Sequence, residues 1–222
     1  MLRADQLVND LFSDPHGFRE KGDGNELLNQ FLRGYPLDKL RLLLHHQHEE
    51  VVATGIWIAS ELGHEAAAFV NDAVAALQHP NNRIRYFALD VIALGTRDQK
   101  DAEFFQIVKR LEDSDVAVRQ RALELLSSAT DQQLISATSR FAAEEHYSPH
   151  ATLLRLLLRE QSSDVAEVEE MIRSGDGLRI KYGIAIAERL YRSYPQLLEL
   201  AASLEEEEYR SVAEHMLSLH KI

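Results

Sequence analysis

The chain has 222 residues, with 36 Asp+Glu against 24 Lys+Arg, a formal net charge of -12 and no cysteine. Hydrophobic residues at 45% and charged residues at 27% suit a globular chain rather than a disordered one. The missing thiol excludes disulfides, thiolate metal sites and a cysteine nucleophile, and the acid excess argues against nucleic acid or an anionic membrane as partner, since both need clustered Lys/Arg.

The first residues lack the charged start, apolar core and small-residue cleavage site of a secretory signal, and no apolar run approaches the roughly 20 residues of a membrane span. A cytoplasmic protein is the expectation. Apolar spacing predicts helices over 4–12 and 25–32, joined by a loop over 13–24 through Asp14-Pro15 and Gly22-Asp23-Gly24. From there an internal repeat sets the pattern. Leu77, Ile84, Arg85, Ala88 and Leu89 stand 34 residues before Leu111, Val118, Arg119, Ala122 and Leu123. A further step of 33 brings Leu44, Val51, Gly55 and Ile56 into the same places. Ile58, Val91 and Leu125 align beyond them, as do Ala59, Ile92 and Leu126.

Within a unit the hydrophobic period is helical: Val118, Ala122, Leu125 and Leu126 share one helix face. A preceding helix is predicted over 102–112, with Phe104, Phe105, Val108 and Leu111 inward. Asp113-Ser114-Asp115 is the turn between them, and Asp115 is placed to cap the second helix. His79-Pro80-Asn81-Asn82 does the same in the unit before, with Asn as cap. Gly63 and Gly95 are expected just past their helices as left-handed C-caps, and Gly55, Ala88 and Ala122 mark close helix approach. Further pairs are predicted over 131–143 with 149–160, 164–173 with 178–192, and 195–204 with 206–219.

The stretch Leu-Glu-Asp-Ser-Asp-Val-Ala-Val-Arg-Gln-Arg-Ala-Leu at 111–123 resembles the HEAT-repeat pattern of an Asp in the turn and an Arg four residues on, here Asp115 and Arg119. The second unit keeps Arg85 but has Asn81 in the Asp place, and the first unit lacks both. The resemblance covers residues 37–128 and extends in weaker form to the end. It implies an all-α fold, a right-handed α-solenoid (α-α superhelix) of about six antiparallel helix pairs of the HEAT and armadillo kind. One domain over 1–222 is expected, with capping helices and a loop over 1–36, repeat pairs over 37–192 and a capping pair over 193–222.

In such an array the second helix of each pair lines a concave face. The residues one place after Ile56, Leu89 and Leu123 are Trp57, Asp90 and Glu124. One turn earlier stand Ala53, Tyr86 and Gln120, beside Thr54, Phe87 and Arg121, and Glu61 extends the row. Trp57, Glu61, Tyr86, Asp90, Arg121 and Glu124 are therefore the candidate partner-binding residues, with Trp57 as an anchor among carboxylates. The plainer reading of Trp57 is core filler between helices.

Other constellations carry residues with chemical potential. His45, His46 and His48 with Glu49 and Glu50 crowd one turn, and His64-Glu65 follows; imidazole and carboxylate suit transition metals, yet a solvated turn is the simpler reading. His48-Glu49 and His64-Glu65 invite comparison with deoxyhypusine hydroxylase, a HEAT-like di-iron enzyme that needs four such pairs where this chain has two. Glu145-His146 and Pro149-His150 suggest a base with an orienting acid, but Pro149 interrupts a helix there. The run Glu205 to Glu208 reads as the acidic start of the last helix. Alkylpurine DNA glycosylases and bilin lyases share the architecture, but the glycosylases need a basic face where Glu61, Asp90 and Glu124 fall here.

No glycine-rich phosphate loop, nucleophile motif or HExxH is present. The expectation is a non-catalytic module with no catalytic, cofactor or metal residues and another protein as partner. The segments from Phe31 to Pro36 and Trp57 to Gly63 resemble small bacterial HEAT-like proteins, some of them immunity partners, which implies a basic toxin domain as partner. A general adaptor and a HEAT-like enzyme are the alternatives.

Overall fold

A computed structural model describes residues 3–97, 103–144, 148–159 and 164–221. Among the described residues the structure is all-helical, with fifteen α-helices, two 3-10 segments and no strand. The chain forms two compact units, Met1–Gly95 and Thr96–Ile222.

Unit 1 begins with α1 (Arg3–Ser13), which buries Ala4, Leu7, Val8 and Leu11 on one face. The segment expected as a loop over 13–24 contains a helix, α2 (Pro15–Lys21). Asp14 caps it by accepting the Gly17 N–H at 3.0 Å. Pro15 sits at the first helical position, where its missing N–H has no intrahelical partner to lose. Gly22, at φ 74, ends it in the left-handed region. Asp-Pro and Gly, read from sequence as loop punctuation, are here the start and stop of a short helix whose inward residue is Phe18.

After α3 (Asp23–Leu32), Tyr35 donates its hydroxyl to Asp5 at 2.8 Å; burial first, then this bond, push its pKa up to about 12. Next come α4 (Asp38–Leu44), α5 (Glu49–Ser60), a 3-10 segment (Gly63–Phe69), α6 (Val70–Ala76) and α7 (Asn82–Gly95). Gly55 holds the close-approach place expected of it: a Cβ there would lie 2.8 Å from Leu43 Cβ, so α4 and α5 need the glycine. Gly63 is left-handed at φ 58, as expected. Gly95 is not a left-handed cap. It is the last residue of α7 and is buried, and a Cβ there would press on Val70 and come within 3.0 Å of Ala67 Cα. Its missing side chain serves packing rather than chain reversal.

Unit 2 contains α8 (Phe105–Lys109) running into a 3-10 turn (Arg110–Glu112), α9 (Val116–Ser127), α10 (Asp131–Ala142), α11 (Ser148–Leu158), α12 (Val165–Ile172), α13 (Gly177–Arg189), α14 (Pro195–Ala201) and α15 (Glu207–Leu219). Glu145-His146, and Ala102 at the start of the helix predicted over 102–112, lie outside the described residues. Asp115, Asp164 and Asp176 each cap the following helix through a carboxylate oxygen, and Thr130 with Gln133 forms a capping box. The six consecutive pairs from α4–α5 to α14–α15 each pack together. A solenoid limits contacts to neighbouring repeats. In unit 2, α9 also touches α13 and α15, two and three pairs further on.

The expected Asp–Arg partnership takes a different form. Arg119 does not reach Asp115; its Nη1 donates to the carbonyls of Asp113 at 2.8 Å and Ser114 at 3.2 Å, the end of the preceding turn. Arg85 binds His79 O and Pro80 O in the same way, both at 2.9 Å. Arg210 binds Leu204 O at 3.3 Å and Glu205 O at 3.0 Å. In each case the Arg sits four residues after the N-cap and satisfies carbonyls of the turn that precedes its helix. No helix among the described residues is long and apolar enough to cross a membrane.

Candidate functional site

The α2 helix, absent from the sequence reading, builds one wall of a cleft in unit 1. Phe18, Arg19, Gly22, Gly24, Asn25, Thr54, Trp57, Arg83 and Phe87 surround a volume of about 210 Å³. Trp57 stands on α5 and is half-buried. A Cβ on Gly24 would lie 3.2 Å from Trp57 Cζ3, so the glycine is what lets the indole lie against the start of α3. Thr54, one turn before Trp57, is turned away from solvent and donates to Glu50 O at 2.8 Å.

Charge gathers at one end of the cleft. Arg19 Nη1 lies 3.3 Å from Glu50 Oε1, and Arg83 Nη1 lies 3.6 Å from Glu50 Oε2. Two guanidiniums thus share one carboxylate. The Arg83 guanidinium also lies 6.0 Å from the Phe87 ring centre, at the edge of cation–π range. The neighbouring Glu49 carboxylate is engaged by the Asn81 amide.

Of the six residues expected to bind a partner, four fall in unit 1 and two in unit 2. Trp57 lines the cleft, and the charged residues that line it with Trp57 are Arg19 and Arg83 rather than carboxylates. Tyr86 is half-buried on α7 with its ring edge-on to Phe87 at 5.5 Å between centres, and Asp90 follows one turn later. Glu61 is exposed at the C-terminal end of α5. In unit 2, Arg121 and Glu124 pair with each other at 2.8 Å along α9, and Glu124 also faces His215 of α15 at 3.8 Å. The residues that sequence reasoning missed are Phe18, Arg19, Gly24 and Arg83. The Asp14-Pro15 start and the Gly22 stop, seven residues apart in helix, were the signal for the first three.

The histidine turn is largely exposed, with His45, His48 and Glu49 open to solvent and His46 half-buried, and its rings have partners. His46 stacks on Phe12 with ring centres 4.8 Å apart, and its Nδ1 accepts the His48 N–H at 3.0 Å. His48 Nδ1 in turn accepts the Glu50 N–H and caps α5, while His45 Nε2 contacts Asp72 at 2.8 Å. Among the described residues no group of three or more His, Asp or Glu is placed to hold a metal ion.

Unit 2 carries a polar core. Glu208, expected as part of an acidic helix start, turns inward: it accepts from Arg119 Nε at 2.8 Å and from Nη2, and lies 3.6 Å from Lys181 Nζ. Gln120 binds Glu208 O at 3.1 Å and Ser211 Oγ at 2.6 Å. The Arg119 hydrogen bond, helped by Lys181, holds the Glu208 pKa below its ordinary value. Burial lowers the Lys181 pKa, and its Nζ donates to Leu111 O. His150 is buried against Phe141, ring centres 5.2 Å apart, with Nδ1 3.0 Å from Tyr182 Oη and Nε2 3.7 Å from Glu112. Burial lowers its pKa, with Glu112 opposing. These groups join α9, α10, α11, α13 and α15.

No protein-family model matches the chain, and no curated protein matches it.

Proposed function

We propose that the chain is a non-catalytic binding module of HEAT-like helix pairs that holds a partner protein at the Trp57 cleft. The observation that carries this reading is the cleft itself: a half-buried indole, two arginines and two phenylalanines around an open volume, with Gly24 leaving room for the indole. Trp and Arg are the residue types that most often anchor interfaces when set in a pocket. The net charge of -12 favours a partner that is basic overall, because complementary charge speeds encounter. In its most specific form the partner is a basic toxin domain and this chain its immunity protein. The titratable groups of unit 2 favour no enzyme reading, since Arg119, Lys181 and Glu208 hold helices together.

The test fills the cleft instead of emptying it. Gly24→Val pushes a branched side chain against the Trp57 ring from 3.2 Å away. Partner capture from cell extract with the wild-type chain is compared with capture by Gly24→Val at matched folding, read by circular dichroism. The expected result is a basic protein retained by the wild type, lost from the variant and released by added salt. Retention of the same protein by a folded variant would sink the reading.

A further inference from the structure

The charged side chains that line the Trp57 cleft are both arginines, in a chain whose net charge is -12. Arg19 and Arg83 share one carboxylate, Glu50, and none of the residues that surround the cleft is acidic. Both arginine side chains remain substantially exposed, 54% and 40%, against 17% for Glu50, so their outer donors are open to a ligand while the carboxylate is enclosed. Guanidinium presents a planar fork that matches carboxylate geometry. Trp57, Phe87 and Phe18 supply aromatic walls beside that fork. A volume of about 210 Å³ is below the roughly 300 Å³ at which drug-sized pockets begin, so the fitting group is small. One ring with a short chain meets that limit.

We propose that the cleft binds an aromatic ring carrying a carboxylate, the ring against Trp57 and Phe87 and the carboxylate on Arg19 and Arg83. The inference deepens the partner-binding reading and rests on it for the source of the group: the C-terminal aromatic residue of a polypeptide. A free arylalkanoate offers the same chemistry, and the two sources separate by experiment. A cationic group is disfavoured at the same place, because it would meet two guanidiniums.

Trp57 is the only tryptophan in the chain, so its fluorescence reports the cleft directly. The probes are 3-phenylpropionate, the tripeptide Gly-Gly-Phe with a free C-terminus, and the amides of both, titrated into the full chain and followed by fluorescence and calorimetry. Each acid is expected to bind at least about tenfold more tightly than its amide, and the tripeptide more tightly than 3-phenylpropionate. Arg19→Gln and Arg83→Gln, both at exposed side chains, are expected to erase most of that acid preference while leaving the melting temperature in place. Equal binding of acid and amide, or an acid preference that survives both substitutions, overturns the proposal. Tighter binding of 3-phenylpropionate than of the tripeptide overturns the polypeptide source. Acid-selective binding without any captured protein counts against the partner reading alone, and a captured protein without acid selectivity counts against the cleft chemistry alone.

Discussion

Gly24 and Gly95 show how one missing side chain is used for two purposes. Gly24 leaves room for an indole, whereas Gly95 lets α7 meet the Ala67 backbone and Val70. Gly95→Ala therefore forces buried backbone apart and is expected to destabilise the fold by about 1–3 kcal/mol, read from chemical denaturation. Gly63→Ala has open space around it but a φ of 58, and is expected to cost only about 1 kcal/mol, through backbone strain. A larger loss at Gly63 than at Gly95 would contradict these roles. The sequence placed both glycines near helix ends. It could not separate a cap from a contact, because the two uses leave the same mark in the chain and differ only in what lies across from them. Trp57 stands out in the sequence for the opposite reason, being one large aromatic off a regular apolar stripe. Its surroundings were not, because Arg19 comes from a helix hidden behind Pro and Gly.

At the scale of elements, caps and pairs were legible and long-range partners were not. Asp115 and Asn81 cap as their positions predicted, since an N-cap depends only on residues two or three places on. Glu208 looked like one of four equivalent glutamates at a helix start, but it bonds Arg119, 89 residues away in the chain. No local pattern carries that distance. The ion cluster makes the start of α15 dependent on Glu208. Glu208→Gln removes the charge shared by Arg119 and Lys181 and is expected to destabilise by about 1–3 kcal/mol. Hydrogen exchange is the direct check: amides of α15 should lose protection first, ahead of those in α10. Uniform loss across unit 2, with α15 unchanged relative to the rest, would show that the cluster does not govern docking of that helix.

For the molecule as a whole, the shifted groups set the response to acid. His150 faces Glu112 from the 3-10 turn, Lys181 and Tyr182 from α13, and Phe141 from α10. Its pKa is lowered from an ordinary 6.5, so below that pH the unfolded chain takes up the proton first and stability falls. Glu208 is lowered from an ordinary 4.5, so its contribution is present above that pH and is lost as pH falls through the folded value. Two acid limbs are therefore expected in the denaturation midpoint, one beginning near pH 6.5 and one below about pH 4.5. Replacing His150 and Tyr182 together by Phe should flatten the first limb and keep the second. A first limb of unchanged depth in that variant would place its origin elsewhere. The run of helix pairs was readable from a 34-residue repeat, but the contacts of α9 with α13 and α15 were not, because they join pairs that the repeat keeps apart.

The bond between Arg119 and Glu208 also has a consequence in time. A ribosome adding roughly 5–20 residues per second finishes α9 several seconds or more before it makes the residue that neutralises Arg119. Through that interval the Arg119 guanidinium lacks its carboxylate and α9 lacks its packing against α15. A nascent chain halted before residue 207 would therefore present the α15-facing side of α9, with an unpaired Arg119, to whatever chaperone is at hand.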